Sequence, residues 1–287
     1  MEENNLPFIT ECPRDAQQGL PYVIDPGKRA AYINQLMHAG FDVIDFGSFV
    51  SPKAVPQMAG SDKVLAQIDR TNSNTKLLAI VGNLRGASDA ANQEQVDIIG
   101  FPYSISETFL QKNINSGTTD ALHLVEGIKS VCAASNKKLR VYISMAFGNP
   151  YGDEWNESIL QQSLWQLQNL EVEEVMLSDT TGLATPESIT SIFEKLIKDL
   201  YIQCGVHLHS LPHESLKKID AAWKAGCRRF DSVMNGLGGC PMTGYELLGN
   251  VNTLDILHYF KENNIPNNLK EDVIADLAIS YSDFENL

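Results

Sequence analysis

His207-Leu208-His209 sets two imidazoles two residues apart within a short apolar run. Along a strand, residues i and i+2 project to the same face, so both rings would point together. That geometry suits a divalent ion. With the carboxylate of Asp15 and a carbonyl such as that of Asn250, the donor set becomes two nitrogens and two oxygens, leaving room for water and a chelating substrate. Mixed imidazole and oxygen donors accept Mg²⁺, Mn²⁺, Zn²⁺ or Co²⁺. The plainer alternative is two hydrogen-bonded strand histidines. A second reactive group, the Cys240 thiol, lies in Gly236-Leu237-Gly238-Gly239-Cys240-Pro241. In an open loop a thiol can serve as general acid or base where a cation or metal tunes its pKa, and otherwise acts as a small apolar filler. The same glycine-rich run is no nucleotide loop, because no helix-opening Lys-Ser/Thr follows it. His38, His123, His213 and His258 fall on expected helices or loops, and Cys12, Cys132, Cys204 and Cys227 read as structural.

Groups so far apart in the chain can meet only if regular elements bring them together. Short apolar runs alternate with longer amphipathic stretches from about Leu6 to about Phe260, without a Pro/Gly/Ser linker. The strand candidates are Phe8 to Cys12, Val43 to Phe46, Leu77 to Val81, Val96 to Phe101, Arg140 to Ala146, Glu174 to Leu177, Cys204 to His209 and Arg229 to Val233. Between them lie helix-like segments, for example Lys28 to Ala39, Ser61 to Thr71, Gly86 to Asn92 and Thr118 to Ser135. The strings Ala39-Gly40-Phe41-Asp42-Val43-Ile44-Asp45 and Ala225-Gly226-Cys227-Arg228-Arg229-Phe230-Asp231 echo one another as helix end, glycine cap, strand and acid. Eight βα units in about 250 residues predict a (β/α)8 TIM barrel. A doubly wound sheet would show a glycine-rich phosphate turn after its first strand, where this chain has Cys12-Pro13-Arg14-Asp15. The barrel is expected over residues 1–262, with residues 263–287 forming a short C-terminal helical extension packed on it. Barrel active sites form where the strands end. Arg14 and Asp15, Asp45 and Ser48, Tyr142, Asp179 and Thr180, His207 and His209, and the Gly236 to Pro241 loop all fall at that end.

Composition narrows the function classes. Of 287 residues, 36 are acidic and 22 basic, a formal charge of -14, and 43% are hydrophobic, enough for a full core. Such a chain repels phosphate backbones, and no Lys/Arg-rich run overrides the repulsion locally, so nucleic acid is not an expected partner. No apolar stretch approaches the ~20 residues of a membrane helix. The N-terminal Met-Glu-Glu-Asn-Asn lacks the basic then apolar order of a secretory signal, and five scattered cysteines suit a reducing, cytoplasmic setting.

With these residues in place, the sequence resembles the 3-hydroxy-3-methylglutaryl-CoA lyase family, within the metal-dependent barrel lyases and condensing enzymes related to isopropylmalate synthases. The resemblance runs from about Ile9 to Asp255. It rests on Pro13-Arg14-Asp15, Ser48-Phe49-Val50-Ser51-Pro52-Lys53, Val55-Pro56-Gln57-Met58, Lys112-Asn113-Ile114-Asn115, Ser178-Asp179-Thr180-Thr181-Gly182, Val206 to His209, Gly236 to Pro241 and Gly249-Asn250. It implies one divalent ion, Mg²⁺ or Mn²⁺ before Zn²⁺ or Co²⁺, held by Asp15, His207, His209 and Asn250. It further implies a catalytic set of Arg14 at the enolate oxygen, the loop thiol Cys240 in proton transfer, Asp45, and Asp179 as a holder behind the site. Gln18, Ser48, Tyr142 and Thr180, with Asp45, would line the pocket of an acyl-CoA substrate, and a homodimer is an expected assembly.

The implied reaction cleaves a tertiary 3-hydroxyacyl thioester between C2 and C3 into acetoacetate and acetyl-CoA. Lys53, Lys112 and Arg85 are candidates by position for the CoA phosphates. The chain departs from the family pattern where Ala16-Gln17-Gln18 replaces the usual Gly-Leu-Gln, where Ser210 replaces an acid, where the Gly-Cys-Pro to Asn spacing is one residue longer, and where Leu254 precedes Asp255. These changes touch the acyl pocket and leave a related aldolase, or a lyase for another 3-hydroxyacyl-CoA, as the alternative substrate reading. A Claisen-type synthase is opposed by the short tail, and a non-catalytic metal-binding scaffold by the retention of Arg14, Asp15, His207, His209 and Cys240.

Overall fold

The computed structural model describes residues 6–239 and 248–281. Its strands are β1 (Phe8–Glu11), β2 (Val43–Ser48), β3 (Lys76–Ile80), β4 (Ile98–Ser104), β5 (Lys138–Ser144), β6 (Glu174–Asp179), β7 (Gln203–Leu208) and β8 (Arg229–Ser232). They pair in parallel in chain order and close when β8 pairs with β1, giving the expected (β/α)8 barrel. The main helices are α1 (Pro13–Gln18), α2 (Pro26–Leu36), α3 (Ser61–Leu65), α4 (Leu84–Ala91), α5 (Glu107–Ile114), α6 (Thr118–Ala134), α7 (Glu157–Asn169), α8 (Pro186–Ile192), α9 (Pro212–Lys224), α10 (Thr253–Glu262) and α11 (Glu271–Ser280). Side-chain oxygens of Asp25, Asn83, Ser106, Asn156, Thr185 and Asn252 accept backbone N–H groups at the starts of α2, α4, α5, α7, α8 and α10. Each such cap stabilises its helix by about 1 kcal/mol.

Alternation along the strands divides two cores. Ile44, Phe46, Leu77, Ala79, Val81, Val141, Leu177 and Val206 face outward and meet the helices in the large apolar layer. Val43, Leu78, Ile80, Ile98, Tyr142 and Met176 point inward and form a smaller cluster. The rest of the interior is charged: Arg140 donates to Glu174 at 3.0 Å and to Thr10 Oγ1 at 2.9 Å, and lies 3.7 Å from Asp231. Gly205 makes room for this layer, because a Cβ there would stand 2.6 Å from Arg229 Cβ and 2.7 Å from Met176 Sδ.

The tail expected to form a helical extension contains α11, packed against α2 and α10. Two short helices, α1 and α5, were not among the sequence expectations, and the helix expected over Ser61 to Thr71 stops at Leu65. Beyond it the chain turns so that Arg70 donates to the carbonyls of Gln95 and Thr75, tying the segment to the barrel floor instead. Among the described residues no helix is long and apolar enough to cross a membrane.

Candidate active site

A cavity of about 630 Å³ opens at the C-terminal ends of the strands. Arg14, Asp15, Gln18, Ser48, Tyr142, Thr180, His207 and His209 all line it, so eight of the residues singled out in the sequence converge. Asp15, His207 and His209 bring one ligand atom each within 4.8 Å of one another. Both imidazoles are oriented from behind. His207 Nδ1 pairs with Asp231 Oδ2 at 3.1 Å, and His209 Nδ1 with the Leu248 carbonyl at 2.8 Å. An acceptor at Nδ1 fixes the proton there and leaves Nε2 with its lone pair, the arrangement that holds metal-ligating histidines. The donor set therefore fits a divalent cation.

The chain builds this arrangement locally. His209 is the first residue beyond β7 and bridges Asn250 in an antiparallel contact. Val251 N donates to the Leu208 carbonyl and Ser210 N to that of Gly249, both at 3.0 Å. The segment before α10 is thereby locked in register with the end of β7. Asn250 stands beside Asp15. Its Nδ2 donates to Asp15 Oδ2 at 2.8 Å and to the Leu237 carbonyl at 2.9 Å, because that carbonyl demands a donor.

Arg14 is placed by α1 beside Asp15. Its Nε and Nη2 donate to Asp45 Oδ2 at 2.9 and 2.6 Å, and its Nη1 to Asp15 Oδ1 at 3.0 Å. Among the described residues three of the five guanidinium hydrogens are engaged, leaving two for a ligand. Gln18 Nε2 donates to Asp15 Oδ1 at 2.8 Å. Burial pushes the Asp15 carboxyl up, yet Arg14, the two imidazoles and Asn250 outweigh it and bring its pKa down to about 2. Burial also raises Asp45, and Arg14 only partly offsets this, leaving it at about 6. For His207 burial favours the neutral ring, but Asp231 and Asp15 prevail and its pKa rises; for His209 burial and the neighbouring His207 lower it.

Two expected catalytic acids do not face the cavity. Asp45 is fully buried behind Arg14, so its contact is with the guanidinium. Asp179 points away from the pocket, because its Oδ2 accepts from Lys218 Nζ at 2.8 Å and its Oδ1 from Ala184 N at 2.9 Å. Its neighbour Thr180 carries the pocket position, accepting from the N–H of Met145, which is held at φ 60°. Cys240 lies outside the described residues. Of the three cations considered for a phosphate, Lys112 lines the cavity and lies 4.2 Å from the Tyr151 ring centroid, whereas Arg85 is exposed beside Asp89.

The sequence reading passed over Asp231, Lys218 and Glu11. Asp231 was visible as the acid closing the second copy of the helix-end echo, in the place that Asp45 holds in the first. Lys218 stands among Ser215, Ile219 and Ala222 on the buried stripe of α9, where an ammonium needs partners.

Comparison with known proteins agrees with this geometry. The HMGL-like family model matches residues 5–279. The chain belongs to the HMGL-like family. Its relatives include the hydroxymethylglutaryl-CoA lyase YngG of Bacillus subtilis, 32% identical over 93% of this chain and 88% of the relative, and the (R)-citramalyl-CoA lyase of Chloroflexus aurantiacus, 29% identical over 95% and 88%. Among solved structures, an HMG-CoA lyase from Acinetobacter baumannii in complex with coenzyme A and 3-methylmalate superposes with a TM-score of 0.90. It is 27% identical, with 98% of this chain and 91% of that one covered. This member of the HMGL-like family is a carbon-carbon lyase.

Proposed function

We propose that this lyase cleaves 3-hydroxy-3-methylglutaryl-CoA, or a close 3-hydroxyacyl-CoA, between C2 and C3, giving acetyl-CoA and acetoacetate or the corresponding oxo acid. The observation that carries the reading is the meeting of Asp15, His207 and His209 with Arg14 beside them in the cavity. A divalent ion held by those three residues would act as a Lewis acid, lowering the pKa of the substrate's tertiary hydroxyl. Transfer of the hydroxyl proton to solvent lets the C3 oxygen form a carbonyl as the C2–C3 bond breaks, and the electron pair passes to the thioester as an enolate. Arg14 presents its two free N–H groups to the enolate oxygen. Fixed by Asp45, it needs no reorganisation as charge develops, the logic of an oxyanion hole. Ser48 Oγ is buried in the wall of the cavity without a partner among the described residues, a donor that a substrate oxygen would satisfy. In this reading Gln18, Tyr142 and Thr180 line the acyl pocket, Cys240 returns a proton to the enolate carbon, and Lys112 takes a CoA phosphate.

The test is acetyl-CoA release from a panel of thioesters, with and without Mg²⁺ or Mn²⁺. The panel includes citramalyl-CoA, because a relative carries that name. Metal-dependent release from the methylglutaryl thioester is expected. Release from citramalyl-CoA alone would move the assignment to the shorter acid, and no release from any member with either ion overturns it.

A further inference from the structure

Lys218 is a buried ammonium that the reaction just proposed does not use. Its side chain is 3% exposed, on the barrel-facing stripe of α9. Each of its three N–H bonds has an acceptor from a different part of the chain: Asp179 Oδ2 at 2.8 Å, the His209 carbonyl at 2.8 Å and the Gly182 carbonyl at 3.4 Å. Burying an ion pair costs several kcal/mol of desolvation per ion, so its presence under an active-site rim is not explained by stability alone. The position of the acceptors is more informative. His209 lies one residue past β7, where the β6 ladder has ended at the pairing of Asp179 with Leu208. Its carbonyl has therefore left the sheet and is held by Lys218. The opposite edge is held by Asn250, and the ring by Leu248. The turn from Asp179 to Ala184 is closed by Gly182 N donating to the Asp179 carbonyl and by Ala184 N donating to Asp179 Oδ1. It carries Thr180 into the cavity. One ammonium thus ties the β6 turn to the β7 residue that supplies an imidazole.

We infer that Lys218, with Asp179, is a positioning residue for His209: it sets the backbone from which that imidazole reaches the metal, and so tunes divalent-metal affinity. The inference rests on the metal reading above. Metal ligation tolerates errors of only about 0.2 Å, and removing groups that orient a ligand typically costs 10–100-fold in metal affinity. Asp179 thereby has a function although it does not touch the cavity.

The experiment is Mn²⁺ titration of the metal-free protein, read by loss of the free-ion EPR signal. Wild type, His209→Ala, Lys218→Met, Lys218→Arg and the uncharged pair Asp179→Asn with Lys218→Met are compared. Leu164→Ala, a fully buried position on α7 outside the clamp's hydrogen bonds, serves as a destabilised control. Lys218→Met is expected to raise the Mn²⁺ Kd at least tenfold, and Lys218→Arg to recover part of the loss. The uncharged pair leaves no unpaired buried charge, so it keeps the test open should Lys218→Met fail to fold, and it is expected to show the same tenfold loss. Leu164→Ala is expected to lower the melting temperature while leaving Kd unchanged. A Kd within twofold of wild type in the uncharged pair, or an equal loss in Leu164→Ala, overturns the clamp while leaving the metal reading standing. Wild type and His209→Ala that bind Mn²⁺ alike, or not at all, overturn the metal reading and the clamp with it.

Discussion

Glu11 is the acid at the end of β1 whose side chain points away from the barrel interior. It is fully buried, and its carboxylate accepts from Met234 N at 2.6 Å, from Thr253 Oγ1 at 2.6 Å and, more weakly, from Ser232 Oγ at 3.4 Å. No cation is among these partners. Burial therefore dominates, and with Asp231 nearby it lifts the pKa from 4.5 to about 7 despite the three donors. Because the folded state binds this proton more tightly than the unfolded chain, it holds more protons between those two values. Stability from this group then falls as pH rises from about 4.5 to about 7, and the penalty is complete above 7. The gap between 4.5 and about 7 amounts to about 3 kcal/mol. Glu11→Gln removes the titration while keeping an acceptor for Met234 N and offering a donor to Thr253 Oγ1. Its stability is expected to equal that of wild type near pH 4.5 and to exceed it by about 3 kcal/mol at pH 8, or about 6 °C in melting temperature for a chain of this size. Urea denaturation of both proteins across that range, followed by tryptophan fluorescence, gives the difference directly, since every other titrating group cancels. A difference that stays flat to within about 0.5 kcal/mol would refute the account of Glu11 as an uncompensated buried acid.

Further outcomes follow from the site. Arg14→Met is expected to lower kcat by about 100-fold or more with little change in KM, the signature of lost transition-state stabilisation of ~3 kcal/mol; a rise in KM alone would place Arg14 in substrate binding. Arg14→Lys should not restore turnover, because one ammonium cannot reproduce the paired donation to Asp45. Asp231→Asn is expected to weaken Mn²⁺ binding by about 10–100-fold through the freed His207 ring, and an unchanged Kd would mean that Asp231 serves only Arg140. Cys240→Ser should cut turnover while leaving metal binding intact, and near-normal turnover would remove the thiol from the proton path.

How far the sequence disclosed this arrangement depends on what each residue answers to. All eight strands were legible because the residues they turn toward the helices are largely apolar, and their ends located Arg14, Asp15, Ser48, Tyr142, Thr180, His207 and His209 at the one face where they could meet. Pairings made through side chains were not legible. The string Ser178-Asp179-Thr180 gives no local sign that Asp179 turns to Lys218 while Thr180 turns to the cavity, because that choice is made by an ammonium 39 residues away. The same holds for α1 and α5, too short for a helical period to show, and for Asn250, whose position followed from the chain but whose amide orientation is set by the Leu237 carbonyl.

The charges inside the barrel share one organisation. From the floor upward, Glu174 pairs with Arg140, Arg140 approaches Asp231, Asp231 holds His207, and His207 stands beside Asp15, which Arg14 ties to Asp45. Acids alternate with basic groups, so each acid in this series has a basic neighbour on at least one side. At the top the balance changes: Asp15 and Asp45 share the single guanidinium of Arg14. Asp45 is the less compensated of the two, held at about 6 by burial. A divalent cation bound at Asp15 would leave more of the guanidinium to Asp45, and that places the metal preference of the site in the barrel's internal electrostatics as well as in its ligand atoms. If so, divalent metal should stabilise the wild-type fold, and Asp15→Asn should abolish that stabilisation while itself lowering the melting temperature of the metal-free protein at neutral pH, since Arg14, the two imidazoles and Asn250 already favour the ionised carboxylate. Metal that leaves the wild-type melting temperature unchanged, or raises that of Asp15→Asn equally, would end the argument for a cation from charge while the one from ligand geometry remained.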